Sequence, residues 1–235
     1  MGEKDGKLTR SVDEICSALA ARYPDGAPDE GVVRGQGFDY LTHHWTDRWP
    51  HPLPLPEILS HGPERGHIRR SELFAMAREV SGPESVLNFY VAVCAWGTGT
   101  KAQRVARVVK PLHVPGALEA LRRSFHAAQS VDPVQAYRRL NLADMDRIKG
   151  FGPAFFTKWL YFAAYDNPDR AEPSVPLILD ARVANALGWP PSNRRWPSSA
   201  YAQYLLTAAE VNAAWSPGSS RHVIEYALFK VGGQG

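Results

Sequence analysis

The stretch NLADMDRIKGFGPAFFTKWLYFAAY, residues 141–165, is followed after a short spacer by PLILDARVANALG, residues 176–188. These two segments decide how the rest of the chain is read. Residues 142–148 have the apolar spacing of a short amphipathic helix. It runs into a Gly-x-Gly turn at Gly150 and Gly152, where two glycines admit a tight backbone with φ > 0. A second helix opens on Pro153, a residue that suits a first helical position because its missing N–H would be an orphan there anyway. Such a turn aims backbone N–H groups outward from a helix N-terminus, where the helix dipole favours an anion.

The segment 142–165 resembles a helix-hairpin-helix, an element that grips a DNA phosphate through backbone amides. The resemblance puts Lys149, Gly150, Phe151, Gly152 and Ala154 at the DNA. With a lysine on the second helix and Asp180 downstream, the chain is similar to the helix-hairpin-helix DNA glycosylase superfamily, in particular its 8-oxoguanine DNA glycosylase-like members. The likeness covers roughly residues 84–230. It implies a mainly α, two-lobed helix-hairpin-helix glycosylase fold with a Pro-rich N-terminal extension.

In bifunctional members of that superfamily a lysine amine attacks the deoxyribose C1′ and forms a Schiff base. The matching position here is Ala154, and the nearest lysine is Lys158, one turn later. Helical side chains lean toward the N-terminus, and a turn rises about 5.4 Å, so the Lys158 stem can bring its ammonium above Ala154. Tyr161 and Tyr165 extend the same face. Phe155, Phe156, Trp159, Leu160 and Phe162 make this helix apolar on most sides, so Lys158 either snorkels or functions. Lys149 is the second candidate, and attack by water is a third route. Asp180 precedes a helix at 181–187 and suits an N-cap. The resemblance adds a catalytic role, stabilising an oxocarbenium-like transition state or positioning the nucleophile. Both roles fit one carboxylate, since one oxygen can cap while the other faces the substrate.

RHVIEYALF, residues 221–229, resembles the late helix of 8-oxoguanine DNA glycosylases, which lines the flipped-base pocket. Glu225 and Phe229 hold the matching positions, with glutamate in place of the family's glutamine. A carboxylate only accepts hydrogen bonds, so Glu225 suits guanine's N1–H and N2–H or the N4 amine of a modified cytosine. An exposed Glu225 beside a core Phe229 is the alternative. CAWGTGTKAQRVARVVK, residues 94–110, places a Gly-Thr turn where family members insert a wedge. Trp96 fills the vacated gap, stacks on the flipped base or anchors the core. Thr98, Thr100, Lys101 and Arg104 then face DNA, in a stripe continued by Arg107 and Lys110. This is not a Walker A loop, because the G-x-x-x-x-G-K spacing is missing.

Helical signals recur at 11–22, 71–80, 84–95, 100–110, 116–128, 134–140, 198–214 and 219–230. The chain divides into an N-terminal helix with a Pro/Gly-rich wrapping segment (1–70) and a helical body (71–235). Trp45, Trp49 and Leu53 should anchor the wrapping segment. Residues 177–179 make the only strand-like run. Cys16 and Cys94, the two cysteines, read as reduced core residues, and no iron–sulfur or zinc spacing occurs. Five of the eight histidines, at positions 43, 44, 51, 61 and 67, match no ligand pattern, so no metal is expected. No cofactor is expected either, although a monovalent cation at the hairpin is compatible. A net charge of +3 permits nucleic-acid binding without demanding it. With no signal peptide and no membrane-length apolar run, the expectation is a cytoplasmic, nucleoid-associated monomer on double-stranded DNA.

The expected activity is excision of a flipped modified base such as 8-oxoguanine, with abasic-site lyase activity. A hypermodified cytosine, such as glucosylated hydroxymethylcytosine of phage DNA, is the alternative substrate and would make this a defence enzyme. A non-catalytic helix-hairpin-helix DNA-binding module is the alternative class.

Overall fold

The computed structural model describes residues 9–142, 145–168, 174–189 and 196–233. Thirteen α-helices and one two-stranded sheet occur among them, so the protein is mainly helical. In chain order these are α1 (Val12–Arg22), α2 (Glu30–Arg34), β1 (Gly37–Leu41), α3 (His43–Thr46), α4 (Glu57–Ser60), β2 (Arg65–Arg69), α5 (Arg70–Arg78), α6 (Pro83–Thr98), α7 (Ala102–Val109), α8 (Ala117–Ser130), α9 (Pro133–Asn141), α10 (Pro153–Ala164), α11 (Ala181–Ala186), α12 (Ser198–Trp215) and α13 (Arg221–Val231).

Local chemistry sets many of these boundaries. Ser11 and Glu14 close a reciprocal capping box on α1, the Ser11 N–H donating to the Glu14 carboxylate at 2.7 Å. Asp132 caps α9, while α6, α9 and α10 each carry proline in the first turn. The interior is organised by α6 and α10. Both are apolar around nearly their whole circumference and buried along nearly their whole length, as such helices must be. α10 is enclosed by α5, α6, α8 and α9. A second group of contacts joins α1 to α12 and α13, and α11 to α13. In the wrapping segment Trp45 is fully buried, and Trp49 and Leu53 pack against the same core, as expected. Cys16 and Cys94 are both free thiols.

Four local features differ from the sequence reading. The strands lie in the wrapping segment: β1 and β2 pair antiparallel, with Phe38 opposite Ile68 and Tyr40 opposite Gly66. The period-2 pattern of β2 is masked because Gly66 fills one of its inward positions, and Tyr40's ring occupies the space a Cβ there would need. Second, α6 runs past Trp96 to Thr98, and Gly99 ends it at φ 58°. Third, the expected helix at 142–148 is replaced where it is described. α9 extends through Asn141, Leu142 is extended, and 145–150 is mostly turn; Ala143 and Asp144 lie outside the described residues. Asp146 holds that turn through Arg123 and Arg139, each at 2.7 Å. Of the hairpin glycines only Gly150 has positive φ (91°), whereas Gly152 is an extended N-cap.

The fourth difference positions the site. Residues 177–179 belong to no sheet and no helix. Side-chain hydroxyls serve their buried backbone instead. Tyr201 accepts from the Leu177 N–H and donates to the Leu177 carbonyl, and Tyr204 donates to the Ile178 carbonyl. Thr157 of α10 accepts the Leu179 N–H at 3.0 Å while donating to the Pro153 carbonyl at 2.7 Å. A buried N–H left without an acceptor costs about 1–3 kcal/mol. Thr157→Val should therefore lower unfolding free energy by about that amount in urea denaturation, whereas Ser at this position should retain most of it.

Candidate active site

Lys158 and Asp180 meet at the junction of α10 and the 177–179 run. The Lys158 ammonium donates to Asp180 Oδ2 at 2.8 Å and to the Ala154 carbonyl at 2.9 Å. The lysine thus reaches back one turn to the Ala154 slot. The other carboxylate oxygen of Asp180 accepts from the Arg182 and Val183 N–H groups at 3.0 and 3.2 Å, capping α11. Capping and pairing coexist on one side chain. Burial acts to raise the Asp180 carboxyl, but the Lys158 charge and these hydrogen bonds outweigh it and hold the group below its ordinary value. Lys158 retains only 5 % of its exposure, so it does not snorkel into bulk solvent.

The pair sits in a cleft of about 300 Å³. Aromatic rings from four elements line it: Phe38, Trp96, Phe155 and Phe229. Arg104 and Arg107 of α7 and Arg182 of α11 give it a cationic wall, with Thr98 and Ala154 alongside. The α7 stripe has the expected sides: Lys101, Arg104, Arg107 and Lys110 exposed, Val105, Val108 and Val109 buried. Arg182 was missed in the sequence. Its guanidinium lies 4.7 Å from the centre of the Phe229 ring, covering the ring expected to line the base pocket. Gly97 was missed too. A Cβ on it would come within 3.2 Å of Lys158 Cδ and 2.9 Å of Phe155, so its absence makes room for the lysine stem.

Several expected site residues stand elsewhere. Glu225 does not line the cleft. It is fully buried and accepts from Arg70 Nη1 at 2.7 Å, a pair hidden from the sequence because Arg70 lies 155 positions earlier. Burial pushes the Glu225 carboxyl up while Arg70 pulls it down. Trp96 lines the cleft with part of its ring but is 3 % exposed, and its indole N–H donates to the Gln36 carbonyl at 3.2 Å. It is therefore a core anchor and cannot protrude as a wedge. Thr98 is buried with its hydroxyl turned to backbone carbonyls, and Thr100 and Lys101 lie outside the cleft lining. Phe151 is buried against Tyr90, and its N–H is taken by the Ile148 carbonyl. Among the described residues the N–H groups of Gly152 and Ala154 keep no acceptor, and Lys149 and Gly150 are exposed beside them. These positions can still meet a phosphate.

Among the described residues no group of three or more His, Cys, Asp and Glu could hold a metal, and no helix is long and apolar enough to cross a membrane. A larger groove of about 690 Å³ lies at the other end of α6. It carries Glu57, Glu79 and Glu84 against Arg78, a net negative lining and the wrong charge for a DNA site.

A family model described as "Putative 8-oxoguanine DNA glycosylase OGG-like protein" matches residues 31–229. The chain belongs to this OGG-like family. No curated protein and no solved structure matches it. OGG-like membership makes DNA glycosylase the general class and DNA the general partner. α1 lies outside the matched region, whereas Lys158, Asp180 and the whole cleft lie within it.

Two outcomes follow from the geometry. Because Asp180 is held below its ordinary pKa, its contribution to stability is complete above the ordinary carboxylate range and is lost as pH falls through the lowered value. Asp180→Asn should therefore narrow the stability gap to wild type as the pH of thermal melts drops from 7 toward 3. Gly97→Ala gains about 1 kcal/mol of helix propensity, which offsets crowding. Its melting temperature should stay within a few degrees of wild type.

Proposed function

We propose that this OGG-like protein is a DNA glycosylase with abasic-site lyase activity, in which Lys158 is the nucleophile and Asp180 its proton acceptor. The observation that carries this reading is the 2.8 Å Lys158–Asp180 contact inside an aromatic cleft walled by three arginines. The ammonium passes one proton to Asp180, and its lone pair forms a bond to C1′. The glycosidic C1′–N bond breaks, its electrons leave with the base, and the base takes the proton held by Asp180. A second amine proton goes to the ring oxygen as the C1′–O bond opens, leaving a protonated Schiff base on Lys158. Desolvation of the cleft strengthens each of these electrostatic contacts.

The substrate is a modified base flipped out of duplex DNA, either 8-oxoguanine or a modified cytosine. A protein that removes the hypermodified cytosines of phage DNA would serve antiviral defence. One monomer on one duplex suffices, without cofactor and with room for a monovalent cation at the hairpin. Phosphate contacts fall to Lys149, the exposed hairpin backbone and the α7 stripe, with Lys101 and Arg104 at its start.

Borohydride trapping tests the chemistry. Wild type should give a covalent adduct with an abasic-site duplex, and Lys158→Gln should give none while still binding DNA. Since the variant leaves Asp180 unpaired, Lys158→Gln/Asp180→Asn is the control for folding. Base release without an adduct would transfer attack to water directed by Asp180. An adduct retained in Lys158→Gln would point to Lys149. Binding with neither signal would leave a non-catalytic DNA-binding module.

A further inference from the structure

Arg182 lines the cleft beside the reacting pair, yet the proposed chemistry gives it no task. It is the second residue of α11, and its backbone N–H joins the Asp180 cap at 3.0 Å. Its side chain reaches α13 and lays its guanidinium 4.7 Å from the centre of the Phe229 ring. That ring is only 9 % exposed, so a base entering the cleft meets the guanidinium there. Gly233 leaves the guanidinium its place, since a Cβ on it would come within 3.0 to 3.2 Å of Nη1, Cζ and Nε. The charge has no acidic partner in the cleft. Asp180 is the only carboxylate in the lining, and it is committed through Oδ2 to Lys158 and through Oδ1 to the α11 amides.

Position separates Arg182 from the other two arginines of the wall. Arg104 and Arg107 belong to the exposed stripe of α7, a row of cations suited to successive phosphates. Arg182 is the single cation of α11 and lies against a ring of the cleft. The group next to it that gains charge during the reaction is the base. A neutral base draws weakly on a cation while it is bound. As the C1′–N bond breaks, the electron pair of that bond goes to the base, and negative charge grows on it inside a desolvated cleft. The attraction is then stronger in the transition state than in the bound substrate, which is the condition for a gain in rate. An arginine side chain brings a fixed charge and keeps its protons. The proton held by Asp180 still goes to the departed base, and charge balances at each stage.

Resting on the glycosylase reading above, we infer that Arg182 is a further catalytic residue, whose guanidinium holds the charge that develops on the leaving base. Because α11 uses only the backbone N–H of this residue for its cap, the side chain can be changed without loosening Asp180.

The test is single-turnover base release from duplexes carrying 8-oxoguanine or glucosylated hydroxymethylcytosine, with trapping on an abasic-site duplex and salt-dependent DNA binding measured in parallel. On whichever base wild type releases, Arg182→Gln should slow release by about a hundredfold, the usual cost of removing one electrostatic stabiliser. Trapping on the abasic duplex, which has no base to expel, should be unchanged, as should the affinity for DNA. Arg182→Lys, which keeps the charge, should restore most of the rate. Release at the wild-type rate in Arg182→Gln overturns the inference. So does an equal fall in release and trapping, which would place the action of Arg182 on the nucleophile. A salt slope of binding lower by about one would make Arg182 a phosphate contact and overturn it too. These three results leave the glycosylase reading intact. Absence of release and of trapping in wild type, with DNA bound, overturns the glycosylase reading itself.

Discussion

Everything at the site hangs on one ion pair made by two elements that meet only in the folded chain. Lys158 stands in the middle of α10, and Asp180 stands at the end of a buried run with no sheet to hold it. Such a run is placed by whatever takes its backbone hydrogen bonds. Thr157, the residue directly before Lys158, takes one of them from the Leu179 N–H, so the same turn of α10 presents the amine and fixes the approach of the carboxylate. Tyr201 and Tyr204 of α12 hold the run from its other side. The cap on α11 then fixes the Asp180 rotamer by occupying one oxygen. The geometry is over-determined on the aspartate side, and on the lysine side it rests on close packing at Gly97.

Charge is sorted across the molecule in a way that composition conceals. A net charge of +3 over 235 residues is nearly neutral. Yet the cleft wall combines Arg104, Arg107 and Arg182 with a single carboxylate that Lys158 already balances, while the far end of α6 carries Glu57, Glu79 and Glu84. Field lines of one sign concentrated in a low-dielectric cleft act on a polyanion much more strongly than the mean charge suggests.

Much of the fold was legible in the sequence because apolar α6 and α10 carry the core, and the signals that open them at Pro83, Gly152 and Pro153 are local. Lys158 and Asp180 were legible because a turn's rise and a cap's chemistry are also local. The β-hairpin was not, since Gly66 empties an inward position that a strand signal needs. Glu225 was misplaced for another reason. The sequence gives its helical face but not its partner, and Arg70, which defines its surroundings, comes from far earlier in the chain. Arg182 was overlooked because an arginine in a first helical turn looks like any solvated residue until Phe229 is seen beneath it.

α11 has only six residues, too few to persist as a helix alone. Segments from opposite ends of the described chain clasp it. Arg10 donates to the Ala186 carbonyl at 3.2 Å, the Thr9 hydroxyl meets the Gly188 carbonyl, and Asn185 donates to the Gly232 carbonyl at 3.0 Å. A side chain on Gly232 would run into the Arg182 carbonyl. During synthesis, then, the lysine and the aspartate both leave the ribosome well before the segment that braces the aspartate's helix. A nascent chain holds the chemical groups of the site without their arrangement, and the Lys158 amine gains its fixed partner only when translation has passed α13.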